Sequence, residues 1–272
     1  MKGKMTYFNE GNQINIFGRG FSLRYPKLKY IFKDKDYFIV PNFISTYGIK
    51  EKKIEIKIDW KVEELLFHSS SNLIDDYSDL SNLFEDCKTL ESLSLDFRVS
   101  RVVRLYRMFG NCISLRKLPD SISNLNVQNV LDMSEMFNDC QSLTLIPDIS
   151  NWNTNSLTNL SGIFCCCCSL LKLSDISKWN TNHVINMFAI FKDCLLLKSL
   201  PDILKWNTSS VVDFDEIFSG CRGLISLPNI SKWKTFNGKA MNGTFSFLNL
   251  TYLPCFVVVH FWINCLIFPN GM

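Results

Sequence analysis

Apolar residues recur with a fixed period along most of the chain, and this pattern predicts a stack of repeated units. Four tryptophans lie 27 residues apart, at Trp152, Trp179, Trp206 and Trp233. Seven phenylalanines mark seven units, the last five with the same period: Phe84, Phe109, Phe137, Phe164, Phe191, Phe218 and Phe245. A unit of this length cannot bury its own apolar side chains, so we expect stability to come from stacking neighbouring units.

Within each unit the apolar positions predict a short helix and then a short strand. Counted from the repeat Phe, apolar residues stand seven, four and one positions before it in most units, and Cys stands three positions after it in the first six, with Leu248 in the last. Spacings of three and four are typical of one helix face. The Leu-x-x-Leu segment that follows favours a strand, and the Pro after it ends regular structure. The expected fold class is an α/β repeat: a solenoid of about seven short helix-strand coils with a small β-rich N-terminal module.

One unit carries a long and specific motif. It runs Val130-Leu-Asp-Met-Ser-Glu-Met-Phe-Asn-Asp-Cys-Gln-Ser-Leu143, and Asp148-Ile-Ser-Asn-Trp-Asn-Thr154 follows. Over about residues 77–254 these units resemble the BspA-type leucine-rich repeats, the bacterial surface protein 26-residue repeat family, a domain of unknown function first described in mycoplasma. The resemblance implies a solenoid and, in some bacterial members, surface adhesion. It implies no catalytic residues.

Composition changes near residue 60 and divides the chain into four parts. Residues 1–60 hold twelve Lys or Arg against six Asp or Glu, whereas the rest holds seventeen against twenty. Four apolar stretches predict strands of a small β-rich module that caps the solenoid: Ile14–Phe17, Leu28–Phe32, Tyr37–Val40 and Ile54–Ile58. Residues 61–76 are expected to be a linker or a degenerate first coil, residues 77–254 the solenoid, and residues 255–272 an atypical hydrophobic end.

The two termini bear on location. No apolar segment typical of a secretory signal follows Met1, and eleven cysteines without such a signal favour a reducing compartment, so a cytoplasmic location is preferred and the cell surface is the alternative. The run from Cys255 to Phe268 has fourteen residues. As a helix it would span about 21 Å, less than the ~30 Å hydrocarbon core, so a buried strand or an atypical end is favoured over a membrane anchor.

Two sets of residues resemble metal sites without the required spacing. The repeat cysteines are 25–28 residues apart, and burial in the core explains them better than metal binding or a disulfide ladder does. In the run Cys165–Cys168 only Cys167 belongs to that column; we expect the other three to be partly exposed and oxidisable. A redox or metal-responsive function would depend on this run.

Further columns predict turns. Asp120, Asp148, Asp175 and Asp202 are expected to accept backbone N–H groups rather than to bind a cation. Asn153, Asn180 and Asn207 are expected to form an inner ladder that satisfies the backbone groups of turns. None of the three histidines shares a motif with a nucleophile, and Gly18-Arg-Gly20 lacks the third glycine of a dinucleotide loop. The sequence therefore predicts no enzyme, no cofactor and no metal.

The function expected from repeat geometry is a non-catalytic scaffold that binds an unidentified protein partner. Solenoids offer an extended surface whose variable positions change without disturbing the core. We expect contacts at the variable positions of the strand segment: Thr144, Lys172, Ser199 and Ser226. The alternative, from the family resemblance, is a cell-surface adhesin or host-interaction protein. Nucleic-acid binding is not expected, because the N-terminal lysines are dispersed and no stacking motif accompanies them.

Overall fold

The computed structural model describes residues 2–8, 13–15, 17, 29–32, 35–38, 43–45, 53–59, 78–95, 102–238 and 241–250. The predicted linker at 61–76 and the terminal run from Cys255 to Phe268 lie outside these residues. The four-part division of the chain stays a prediction.

The described residues between 2 and 59 form six strands: β1 (Lys2–Phe8), β2 (Gln13–Asn15), β3 (Lys29–Phe32), β4 (Lys35–Phe38), β5 (Phe43–Ser45) and β6 (Lys53–Asp59). Three more follow, β7 (Ser78–Asp79), β8 (Leu90–Leu95) and β9 (Val102–Arg104). One sheet has the order β4-β3-β6-β1-β8, and β1 is antiparallel to both β6 and β8. Because β8 belongs to the first repeat unit, the N-terminal strands continue directly into the repeats.

The repeat units stack in register as seven coils, numbered here by their repeat Phe from Phe84 (coil 1) to Phe245 (coil 7). Neighbouring repeat Phe rings lie 5.3–6.0 Å apart between centroids, and Phe17 stacks on Phe84 at 6.0 Å. Trp152 stacks on Trp179 at 6.1 Å. Isolated parallel bridges join residues 25 to 28 apart, such as Asp132 with Asn159 and Lys117 with Leu145. The predicted stacking of the repeat aromatic residues is therefore confirmed.

The predicted helix in each coil is wrong. Among the described residues there is no α-helix, and the one helical segment is a 3₁₀-helix at Asp120–Asn124. Two residues in every coil, two positions before and two positions after the repeat Phe, have φ between +48° and +70°. They are Asn82, Asp86, Arg107, Asn111, Glu135, Asp139, Gly162, Cys166, Ala189, Asp193, Glu216, Gly220, Gly243 and Phe247. A right-handed helix cannot include left-handed residues at this spacing, so the segment folds as consecutive turns.

Backbone hydrogen bonds explain why turns replace a helix here. Alternate N–H groups point along the stack: Phe137 N donates to Ile163 O at 3.0 Å, and Asp139 N donates to Cys165 O at 2.9 Å. The N–H groups between them close turns within the coil, as Cys140 N does on Phe137 O at 3.2 Å. The turns thus satisfy their buried polar groups and also join coils, whereas a helix would use the same groups internally.

The opposite side of the coils is joined through side chains. Each repeat Trp donates its indole N–H to an Ile carbonyl of the preceding coil at 3.1–3.2 Å. The Thr two residues later is buried, and Thr208 Oγ1 both donates to Lys234 O at 3.0 Å and accepts from Lys234 N at 2.7 Å. The inner ladder is therefore made of threonine, and the expected inner position of the asparagines is wrong. Asn153 and Asn207 are exposed and Asn180 is half-buried. All three do accept a hydrogen bond from the backbone N–H two residues later, as predicted.

Three of the four aspartates behave as predicted turn residues: Asp148, Asp175 and Asp202. The fourth, Asp120, lies in the first turn of the 3₁₀-helix. Asp148 Oδ1 accepts from Ser150 N at 2.9 Å, and Asp175 Oδ1 accepts from Ser177 N at 2.9 Å. Asn229 makes the same bond to Ser231 N at 3.0 Å, so the column does not need a negative charge. Hydrogen bonds from Ser150 and Ser177 lower the pKa values of Asp148 and Asp175.

Candidate functional site

In coils 2–6 the Leu-x-x-Leu segment is not the predicted strand. Isolated bridges join Lys117, Leu145 and Lys172, and the segment places two adjacent residues of each of these coils on the surface. In the Leu-x-x-Leu pattern, the leucines at the two ends point inward, and the two central residues are exposed in five successive coils. We call these ten residues the outer strip: Arg116, Lys117, Thr144, Leu145, Leu171, Lys172, Lys198, Ser199, Ile225 and Ser226. Parallel bridges connect Lys117 with Leu145 and Leu145 with Lys172. At ~4.8 Å between neighbouring strands, five coils make a strip about 19 Å long.

All four residues predicted to contact a partner lie on the outer strip. Thr144, Lys172, Ser199 and Ser226 are exposed. Lys172, Ser199 and Ser226 occupy equivalent positions, whereas Thr144 lies one position earlier in its coil, beside Leu171, whose N–H donates to Thr144 O at 3.1 Å. The residue equivalent to Lys172 in the third coil is Leu145. The structure thus brings the four positions together on one face, in two neighbouring columns.

The outer strip also contains apolar side chains that the sequence-based selection missed. Leu145 and Leu171 are each 47% exposed, and Ile225 is 74% exposed. Apolar side chains exposed on three of the five coils of the strip favour a contact surface over a purely solvated one. The signal was present in the sequence, because these residues are the central pair of the same Leu-x-x-Leu pattern.

The charges of the outer strip all have one sign. The strip carries four exposed cations: Arg116, Lys117, Lys172 and Lys198. In coils 2–6 no Asp or Glu occurs between the repeat Cys and the Pro or Ser that follows the Leu-x-x-Leu segment. Lys117 Nζ lies 4.0 Å from Asp120 Oδ1, outside the strip, and both groups are largely exposed, so screening by water leaves this pair weak. The strip is therefore basic and apolar together.

The repeat cysteines line the core, as predicted. Cys87, Cys112, Cys140, Cys167, Cys194 and Cys221 are buried. Five of these thiols donate to the carbonyl of the repeat Phe one coil earlier, at 2.8–3.2 Å. Burial raises the pKa of Cys167, so this thiol remains protonated and unreactive.

The run Cys165–Cys168 differs from the prediction at one position. Cys166 and Cys168 are half-buried, as expected, but Cys165 is only 8% exposed. The Sγ atoms of Cys165 and Cys166 lie 3.6 Å apart. Within the described residues no group of three or more His, Cys, Asp or Glu side chains is arranged to hold a metal ion. No helix in that part of the chain is long and apolar enough to cross a membrane.

Comparisons with known proteins point to one family. No curated protein sequence matches the chain. The crystal structure of the T. pallidum Leucine Rich Repeat protein (TpLRR) is 25% identical, with a TM-score of 0.35, and the match covers 59% of this chain and 67% of that one. This likeness is too weak to define the fold.

The family model described as "Mycoplasma protein of unknown function, DUF285" matches residues 78–199 and 168–249, which is more than half of the chain. The expected relation to a mycoplasma domain of unknown function is confirmed, and the BspA-type resemblance stays a prediction. The chain belongs to the DUF285 family of Mycoplasma proteins of unknown function.

Proposed function

We propose that this chain is a non-catalytic scaffold, a solenoid of the leucine-rich-repeat type, that binds a protein partner through the outer strip. The observation that carries the proposal is the exposure of both central residues of the Leu-x-x-Leu segment in five successive coils. Hydrogen bonds between coils hold these positions in register, so the side chains are presented on a rigid support.

The chemistry of the outer strip specifies the partner class. Basic side chains such as Lys172 and Lys198 would pair with carboxylates, and Leu171 and Ile225 would bury apolar side chains. A strip two residues wide suits an extended segment better than a broad domain face. The expected partner is therefore a protein with an extended segment that alternates acidic and apolar residues.

The test is affinity capture with the intact chain on beads, followed by quantitative mass spectrometry. One double variant, Lys172→Glu with Lys198→Glu, reverses two charges on the outer strip. Its matched control, Lys178→Glu with Lys205→Glu, reverses two exposed charges in the same two coils, next to the repeat Trp residues. Exposed substitutions of this kind change stability by about 0.5 kcal/mol or less, so both variants are expected to fold.

The proposal predicts partners that the control variant captures as the wild type does and that the strip variant captures in amounts lower by about tenfold or more. The reason is that the two introduced glutamates would face the acidic residues of the partner. Capture should also weaken as the salt concentration rises. The same partners on both variants at equal amounts would contradict the proposal. Replacing Leu171 and Ile225 by Ser then tests whether the apolar side chains contribute.

A further inference from the structure

Two neighbouring thiols in coil 4 are close enough to interact. The Sγ atoms of Cys165 and Cys166 lie 3.6 Å apart, which is hydrogen-bonding distance for sulfur. Cys165 is 8% exposed and Cys166 is half-buried, so solvent reaches the second sulfur more readily than the first. Neither residue belongs to the buried column, which coil 4 fills with Cys167.

The position of Cys166 is unusual for cysteine. Its φ is +56°, in the left-handed region that disfavours most side chains. Five of the six equivalent positions carry the residues that tolerate this conformation best: Asp86, Asn111, Asp139, Asp193 and Gly220. A residue that fits the backbone poorly and is reactive calls for an explanation beyond packing.

The electrostatics of the pair favour one reactive sulfur. Either sulfur can donate in this contact, and the hydrogen bond with Cys165 lowers the pKa of Cys166. The same bond, together with burial, raises the pKa of Cys165, so the proton stays on Cys165. A thiolate is the nucleophilic form of cysteine, and a neighbouring thiol can then resolve an oxidised sulfur.

We propose that Cys165 and Cys166 form a redox-sensitive dithiol that closes to a disulfide when a peroxide oxidises it. In the first step the Cys166 thiolate attacks one peroxide oxygen, the O–O bond breaks, and Cys166 becomes a sulfenic acid as hydroxide leaves and is protonated to water. In the second step the Cys165 sulfur attacks the Cys166 sulfur, the S–O bond breaks, and the Cys165 proton leaves with the hydroxyl as water. The two thiols lose two electrons, and the peroxide is reduced to water.

The oxidised pair would be easy to reduce. Consecutive Cα atoms lie ~3.8 Å apart across a trans peptide, below the ~4.4–6.8 Å usual for disulfides. Strain of this kind makes a disulfide reversible under mildly reducing conditions.

Closure would also disturb the stack. Asp139 N donates to Cys165 O at 2.9 Å, and Cys166 N donates to Lys192 O at 2.8 Å, so the two residues join coil 4 to both of its neighbours. Rotation of the backbone to bring the sulfurs together would weaken these bonds. The redox state of the pair would thereby be coupled to the cohesion of the repeat.

The experiment is oxidation of the purified full chain with hydrogen peroxide, followed by alkylation and chymotryptic peptide mapping. Cleavage after Phe164 and Leu170 gives one peptide that contains all four cysteines of the run. After oxidation we expect two fewer cysteines of this peptide to be alkylated and the peptide to be lighter by two hydrogen atoms. Dithiothreitol should restore both the alkylation and the mass. Before oxidation, Cys166 should be alkylated roughly tenfold or more faster than Cys167 at neutral pH.

The variants use residues that other coils already tolerate at these positions. Cys166→Asn copies Asn111, and Cys165→Ser copies Ser219. Both should abolish the reversible loss of two sites, whereas Cys168→Ser should leave it unchanged. A reversible disulfide that still forms in Cys166→Asn, or one that no longer forms in Cys168→Ser, would show that other cysteines react and would overturn the proposal. So would a wild-type chain that forms only sulfinic acid, since this outcome needs no variant to fold.

Discussion

In coils 3–6, which carry the repeat Trp, the two sides of each coil are joined to their neighbours by different means. On the turn side, from four residues before the repeat Phe to three after it, backbone N–H groups donate directly to the next coil, as Phe164 N does to Ile190 O at 3.1 Å. On the Trp–Thr side, from the repeat Trp to the Thr two residues later, side chains make the connections. Trp179 Nε1 donates to Ile149 O at 3.1 Å, and Thr181 Oγ1 donates to Asn207 O at 3.0 Å.

This difference explains which positions tolerate variation. Backbone bonds on the turn side form with any side chain that allows the required φ, so Glu135, Ala189 and Gly162 all serve at equivalent positions. The Trp–Thr side needs particular donors and acceptors, and it keeps Trp and Thr in four successive coils. Substitutions that remove a polar atom should therefore cost more on the Trp–Thr side.

The largest effect is expected from Trp179→Ala. The indole ring is nearly fully buried and stacks on Trp152, and its N–H pairs the Ile149 carbonyl. Loss of the ring should reduce the free energy of unfolding by about 3–5 kcal/mol, measured by urea denaturation of the full chain. The neighbouring exposed residue provides the control, because Lys178→Ala should change the free energy of unfolding by about 0.5 kcal/mol or less. Equal effects of the two variants would contradict the stacked arrangement.

Thr208→Val separates hydrogen bonding from shape on the same side. The substitution keeps the volume but leaves the N–H and the C=O of Lys234 without the hydroxyl. Both hydrogen bonds are only partly buried, because Lys234 itself is exposed. A bond of this kind contributes about 0.5–1.5 kcal/mol, so the loss of two should cost roughly 1–3 kcal/mol in urea denaturation. Thr208→Ser retains the hydroxyl and should recover most of this loss. If the Val and Ser variants had the same free energy of unfolding, the threonine ladder would not stabilise the stack.

Cys140→Ala is the corresponding change on the turn side, and its effect should be smaller. The Cys140 thiol donates to Phe109 O at 3.2 Å, but Cys112 N donates to the same carbonyl at 3.2 Å. Because the carbonyl keeps a partner, the loss should be about 1–2 kcal/mol. If Cys140→Ala lowered the free energy of unfolding by more than Thr208→Val in the same denaturation experiment, the comparison between the two sides would be reversed.

The smallest effect concerns the exposed aspartates beside the Trp–Thr side. Hydrogen bonds from Ser177 lower the pKa of Asp175 below its ordinary value of 3.8. A folded pKa below the unfolded one adds stability above the unfolded pKa of about 3.9, and this contribution is lost as the pH falls through the folded pKa. Asp175→Asn should keep the turn, as Asn229 does, and reduce the acid-induced fall in thermal stability. An unchanged pH profile would exclude Asp175 as a contributor.

The candidate contact surface was predicted in part. The Leu-x-x-Leu spacing alone predicted exposed residues in the strand segment, and Lys172, Ser199 and Ser226 lie in equivalent positions on the outer strip. Thr144 lies seven residues after its repeat Phe, whereas Lys172, Ser199 and Ser226 lie eight residues after theirs, so counting from the repeat Phe already separates the two columns. The parallel bridges identify Leu145 as the equivalent of Lys172.

Spacing along the chain determined the period, the seven units and the aromatic columns, because a repeated unit of this length can bury its apolar face only against copies of itself. Spacings of three and four also suit a helix, and here the local pattern misled. The choice between helix and turns depends on whether a backbone N–H finds its acceptor within the coil or in the next one. Only the stacked structure supplies that second acceptor, so only tertiary structure decides it.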